Sequence, residues 1–297
     1  MIKINEIINS LEIVKYLGSE LAEVRTVVPI EEVNSTKNPL SWCNKKKLDK
    51  LKEIANSSAV IIISDSLEEV DYKFNVIFVE NPRRAFQKVL TDFFLEKRNP
   101  HIAVSAKISD KARIGQGAFI GNNVIIEEGC EIGNNVTILH NTVVLKNTII
   151  GDDVTIGVNN TIGGTGFGYE KNKRGDFELI PHIGNVVIKN NVDIGNNTCI
   201  DRAVLGSTIL ENNVKVDNLV HIAHGVKVGR NSVIIANAMI AGSVNIGENS
   251  WIAPSSSIIN KKNIGDNVLV GLGAVVTKNV ENDVIVAGNP AKFIRKI

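Results

Sequence analysis

From Ile102 onward an aliphatic residue returns at every sixth position. The series runs from Ile102 to Ile162, resumes at Ile188, Ile194 and Ile200, and continues from Leu210 to Val276. A six-residue step is neither the 3.6 period of a helix nor the simple alternation of a strand. It suits a chain that runs two or three residues as strand, turns a corner and repeats, with the aliphatic anchor pointing inward on each side. Such corners need tight or left-handed backbone, which Gly and Asn tolerate best. Gly121-Asn-Asn, Gly133-Asn-Asn, Gly195-Asn-Asn, Gly229-Arg-Asn and Gly265-Asp-Asn fall at these places. Two stretches break the period. Residues 163–187 are expected to leave the solenoid as an excursion loop, and residues 202–207 as a smaller bulge. Excursions from a rigid scaffold are where sites concentrate.

The first hundred residues carry a different pattern. Ile4, Ile7, Ile8, Leu11 and Val14 have helical spacing that stops at Gly18. Residues 59–64 and 75–80 read as buried strands. Asn81-Pro82 opens a helix through about Lys97, with proline in its first turn. Composition marks the boundary: of 24 glycines only Gly18 precedes residue 101, whereas most aromatics do. These observations predict a small α/β domain over 1–100, a solenoid over 101–285 and a C-terminal cap over 286–297, with Asn99-Pro100 as the joint. The run Lys45-Lys46-Lys47 reads as a solvated face.

Charge and cysteine usage narrow the function. A formal charge of +1 over 297 residues argues against a dedicated nucleic-acid or anionic-membrane binder. No apolar run approaches the ~20 residues of a membrane span, and the N-terminus lacks a signal-peptide segment, so a cytoplasmic protein is expected. Cys43, Cys130 and Cys199 lie far apart and are expected to be small buried hydrophobes. No metal site and no tightly bound cofactor is expected.

Three segments carry candidate chemistry. In Val216-Asp-Asn-Leu-Val-His-Ile-Ala-His-Gly225, His221 precedes the anchor Ile222 and should point outward, whereas His224 should sit near a corner. A neutral imidazole can accept a proton at neutral pH. Residues 163–170, Gly-Gly-Thr-Gly-Phe-Gly-Tyr-Glu, are glycine-rich but lack the strand–loop–helix setting of a nucleotide fingerprint. Asp201-Arg202 lies at the bulge. Alone, each reads equally as surface histidines, a flexible loop and a surface ion pair.

The six-residue period resembles that of the hexapeptide-repeat acyltransferases. The order G-x-G-F-G-Y, I-P-x-I-G, I-D-R and V-D-N-x-x-x-I-A-H further resembles the N-acyltransferases of lipid A biosynthesis, which acylate the 2-amino group of a UDP-3-O-acyl-glucosamine. The resemblance implies a left-handed parallel β-helix, an exception to the right-handed crossover rule, with three repeats per triangular coil and nearly nine coils. It implies a nucleotide-binding N-terminal domain, with Trp42 stacking on the base and Leu48 where a second aromatic is expected. His224 would be the general base, and the Gly242 N–H would stabilise the oxyanion. Asp217 or Asn218 would orient the histidine or bind sugar. Phe167 and Tyr169 would wall the substrate or acyl chain, and Asp201, Arg202 and His221 would contact substrate. It also implies a homotrimer with intersubunit sites, in which His224 faces the excursion of a neighbouring subunit.

The end of the sequence, Val286-Ala-Gly-Asn-Pro-Ala-Lys-Phe-Ile-Arg-Lys-Ile297, looks instead like that of CoA-dependent sugar acetyltransferases. The expected activity is therefore N-acylation of a nucleotide-linked amino (deoxy)sugar from acyl-CoA, in surface-glycan synthesis. The alternative is the lipid A reaction with acyl carrier protein as donor. A non-catalytic hexapeptide scaffold and a hexapeptide carbonic anhydrase are the rivals from other classes.

Overall fold

The computed structural model describes residues 1–44, 47–64, 72–96 and 98–297. Lys45, Lys46 and Lys97 fall outside these, as does the side chain of Leu48. The chain divides into two compact units, Met1–Lys97 and Arg98–Ile297.

In the first unit, strands Lys15–Leu17, Asn75–Val79, Val60–Ser64, Pro39–Trp42 and Thr26–Val27 lie side by side in that order. All neighbours are parallel except the pair formed by Lys15–Leu17. Strands Val60–Ser64 and Asn75–Val79 are buried along their whole length, as their unbroken apolar runs predict. Ile61, Ile63 and Phe78 pack on one side of the sheet, and Val60, Ile62 and Ile77 on the other. The first helix is shorter than its apolar spacing suggests. It covers Ile4–Ser10, because Leu11 turns extended and the chain must reach the edge strand at Lys15. The last helix begins at Pro82, capped by the Asn81 side chain, and runs to Val89 before widening to a π turn over Leu90–Phe94.

The second unit is a left-handed parallel β-solenoid. Its chain visits three faces in turn, through strands such as His101–Ile102, Lys107–Ile108 and Arg113–Ile114. The second face holds nine parallel strands, one per coil, in agreement with the period of the anchors. Anchors from Ile120 to Val276 form one continuous buried core. Each fully buried anchor contributes about 1.5–3 kcal/mol of hydrophobic stabilisation.

The corners follow the same economy of space. At the edge between the third and first faces, Asn135, Asp153, Asn191, Asn213, Asn231, Asn249, Asn267 and Asp283 all take positive φ. Their side chains bond to one another from coil to coil: Asn191 to Asn213 at 3.1 Å, Asn213 to Asn231 at 2.9 Å, and Asn231 to Asn249 at 3.1 Å. The glycine of Gly-x-Asn serves a different need. A Cβ on Gly133 would lie 2.6 Å from the carbonyl carbon of Gly151 in the next coil, so only glycine allows that approach.

Both breaks in the period open at the edge between the second and third faces, on consecutive coils. The excursion is narrower than its missing anchors suggest. Strand Thr161–Thr165 runs past its anchor, pairing Gly164 with Asp201 and Thr165 with Arg202 after a bulge, and Asn185–Ile188 is already back in the solenoid. Between them stands a hairpin of Tyr169–Lys171 with Phe177–Leu179. The smaller bulge is likewise confined between strands Cys199–Arg202 and Ser207–Leu210. The C-terminal stretch adds strand Val284–Ala287 to the first face, followed by the antiparallel strand Lys292–Lys296.

Candidate active site

The edge carrying both breaks also carries the catalytic candidates. Register stacks strand His221–Ile222 on Cys199–Arg202 below and on Met239–Ile240 above. His224, just past its anchor Ile222, therefore rises over the bulge and meets Ala241-Gly242 of the next coil. A Cβ on Gly242 would lie 2.6 Å from His224 Nε2, and one on Gly166 would lie 2.9 Å from His224 Cβ. The imidazole thus sits between two bare stretches of backbone. Burial is the main influence holding it below the ordinary imidazole pKa, and charge on neighbouring His182 adds to this. A neutral ring with a free lone pair is what a general base requires.

Gly242 supplies a donor. Its N–H has no hydrogen-bond partner among the described residues. On the asparagine edge, by contrast, the N–H two residues past the anchor can take a side-chain acceptor, as Gln116 N does with Asn134 Oδ1 at 2.9 Å. An unmatched N–H beside a neutral imidazole can receive a developing oxyanion.

The remaining candidates divide. Asp201 is nearly buried, and its carboxylate stands 3.6 Å from His221 Nε2, which points outward from its strand as expected. Burial raises the Asp201 pKa, and the neighbouring charges of His221 and then His182 pull it back down. Arg202 fastens the root of the excursion: Nε donates to the Gly163 carbonyl at 2.7 Å and a terminal nitrogen to that of Lys146 at 3.1 Å. Phe167 and Tyr169 meet on the excursion with ring centroids 4.9 Å apart and planes inclined at 58°, both exposed.

Two expectations need correction. Asp217 and Asn218 do not orient His224 of their own chain. They occupy the corner at the other end of the His221–Ile222 strand, where Asp217 accepts from the backbone of Asn218 and Ala236, and Asn218 accepts from that of Asn196. The chain's own excursion also reaches His224, because it leaves and returns at the edge His224 occupies. Cys199 is exposed, unlike Cys43 and Cys130, because it precedes its anchor and faces outward.

His182 enters the sequence reading only as the variable position of I-P-x-I-G, with no role assigned to it. Its ring stands 5.2 Å from that of His224, at 78°. It lies outside the six-residue period and 42 positions away, so spacing gives no hint of it. The available signal is topological: an excursion that starts and ends at the His224 edge brings its return limb there.

Trp42 lies in the first unit and is half-buried at the end of its strand. It lines a cavity of about 470 Å³ with Ile30, Asn44, Lys47, Phe86 and Leu90. Phe86, from the helix opened by Pro82, stands 6.2 Å from Trp42 at 32°. Among the described residues, no group of three or more His, Cys, Asp or Glu side chains could hold a metal, and no helix is long and apolar enough to cross a membrane.

A triangular solenoid whose broken edge presents a neutral imidazole and a free N–H defines a hexapeptide-repeat acyltransferase. The bacterial transferase hexapeptide family model matches residues 111–146, 129–164 and 207–242. A UDP-3-O-acylglucosamine N-acyltransferase of Cytophaga hutchinsonii is 46% identical over 256 residues, covering 78% of this chain and 73% of its own. One from Helicobacter pylori is 34% identical over 253 residues, covering 81% and 74%. The chain belongs to the UDP-3-O-acylglucosamine N-acyltransferase family. Among solved structures, a UDP-N-acetylglucosamine acyltransferase from Campylobacter jejuni shares the fold, with a TM-score of 0.61 at 23% identity over 66% of this chain and 75% of that one.

Proposed function

We propose that this N-acyltransferase moves an acyl group from a thioester to the 2-amine of a UDP-3-O-acylglucosamine. The observation that carries the reading is His224, held neutral between Gly166 and Gly242, with the unpartnered Gly242 N–H beside it. The shared name of the relatives supports this acceptor over the deoxyamino sugar of a CoA-dependent glycan pathway.

The chemistry follows from these groups. The amine nitrogen attacks the thioester carbonyl carbon while His224 takes its proton. The carbonyl oxygen, now an oxyanion, accepts from the Gly242 N–H. The intermediate collapses by breaking the C–S bond, and the departing thiolate recovers the proton from His224. The enzyme ends as it began, with no covalent intermediate and no role for the exposed Cys199. General-base assistance of this kind contributes about 10²–10⁴-fold.

The Trp42 cavity is assigned to the uracil of the nucleotide, with Phe86 as the second aromatic of the site; flat aromatic surfaces suit base stacking. Phe167 and Tyr169 are assigned to the acyl chain or sugar. A homotrimer is part of the proposal, because the solenoid's own faces are flat and neighbouring copies would turn them into clefts.

Thiol release with UDP-3-O-acylglucosamine tests the reading, with acyl carrier protein and CoA compared as donor carriers and UDP- and dTDP-deoxyamino sugars as competing acceptors. Turnover confined to UDP-3-O-acylglucosamine is expected, and the productive carrier identifies the donor. Turnover confined to deoxyamino sugars would sink the proposed acceptor. Light scattering of the purified protein checks the trimer.

A further inference from the structure

The return limb of the excursion carries a group that the steps above leave unused. His182 is only 8% exposed. Its Nδ1 lies 2.7 Å from the Ile180 carbonyl oxygen. A carbonyl can only accept, so Nδ1 carries the proton and Nε2 keeps its lone pair. That Nε2 is buried with no donor, the only such side-chain nitrogen or oxygen among the described residues. Buried polar groups are nearly always paired, and an apolar side chain of similar shape would fill the space without leaving an acceptor unmet.

The surroundings point the same way. The His182 and His224 rings meet edge to face. A Cβ on Gly166 would lie 2.8 Å from His182 Nε2, and one on Gly168 would lie 3.2 Å from its Cε1. The excursion is thus bare of side chains where it crosses the imidazoles. Asp201, itself paired with His221, is the nearby acid that acts on His182, and Arg202 is engaged by the Gly163 and Lys146 carbonyls.

We propose that His182 is a positioning residue, whose tautomer-locked ring fixes the imidazole of His224 over Gly242 before the amine arrives. His224 is then held at Cβ by Gly166, at Nε2 by Gly242 and by the His182 ring. The two rings are close enough that charge on one opposes charge on the other. The kinetic consequence rests on the acyl-transfer reading; the structural one does not.

The test uses His182→Gln and His182→Leu in the full chain. Imidazole NMR titration reads His224 without any turnover. In both variants His224 is expected to titrate at higher pH than in the wild type. With substrate, His182→Leu is expected to lower kcat by about 10- to 100-fold, up to the cost of misplacing a reacting group by about 1 Å, with KM for the amino sugar within about threefold. His182→Gln should recover part of kcat, because its amide oxygen restores an acceptor. If His182→Leu does not fold, His182→Gln and the titration carry the test. An unchanged His224 titration overturns the proposal, as does a shifted one with kcat intact. A shifted titration in a protein whose wild type acylates no amino sugar upholds the positioning role and sinks the acyl-transfer reading instead.

Discussion

Two edges of the same solenoid treat polar groups in opposite ways. Along the asparagine edge, side chains at positive φ bond to their counterparts in adjoining coils. Along the edge between the second and third faces, the ladder is replaced by an excursion, a bulge, His224 and Gly242. There a buried acceptor on His182 and the N–H of Gly242 have no partner among the described residues. Both edges are built on the same anchors, so the difference is not one of core. One edge links its side chains from coil to coil, and the other leaves open the donor and acceptor that the proposed reaction and positioning role would use.

Substitutions that strike each edge should therefore fail differently. Removing the base has the largest expected effect: His224→Ala should lower kcat by about 10²–10⁴-fold while leaving the circular dichroism spectrum and Tm unchanged. Gly242→Ala keeps the N–H but drives a methyl into the space of His224 Nε2. Misplacing a reacting group by about 1 Å costs about 10²-fold, so kcat should fall by about 10- to 100-fold, again without loss of fold.

Next in size is the pH dependence. Burial lowers the His224 pKa, so the base is neutral further into acid than an ordinary imidazole. After correction for ionisation of the amine, the acid limb of kcat/KM should lie below about pH 6.5, the unperturbed imidazole value. A limb at or above it would contradict the buried setting. The same shift makes stability fall as pH drops from that value through the folded pKa, because the unfolded chain binds the proton more readily.

The smallest effect belongs to the other edge. Asn231→Ala removes two rungs of the ladder and leaves alanine at φ 60°. The expected cost is about 1–2 kcal/mol of stability, read as a Tm lower by a few degrees, with kcat unchanged. A loss of activity there would erase the distinction between the edges.

The sequence made the solenoid legible because each anchor is a local event repeated many times. The limits of the excursion were less so. Missing anchors mark where the period fails, whereas Thr161–Thr165 and Asn185–Ile188 continue their pairing beyond it. His224 could be found from its corner position and neighbouring motif. His182 and Phe86 could not, because each reaches its partner through tertiary packing that no fixed spacing records. Asp217 and Asn218 share a motif with His224, yet the intervening strand places them at another corner. Closeness in sequence misleads when each strand carries the chain from one edge to the next.

The register of the solenoid has one more consequence. Where the period is intact, each residue pairs with one 18 positions ahead, as Val228 does with Ile246 and Ile246 with Ile264. The protein is therefore a counting device: height along its axis changes in whole coils of about 4.8 Å. Excising residues 247–264 as a block would lower everything above by one step and bring matching neighbours together. Cutting a single residue would instead turn every later anchor out of the core. Length in this chain varies by notches, and the edge that carries His224 stays aligned only for whole ones.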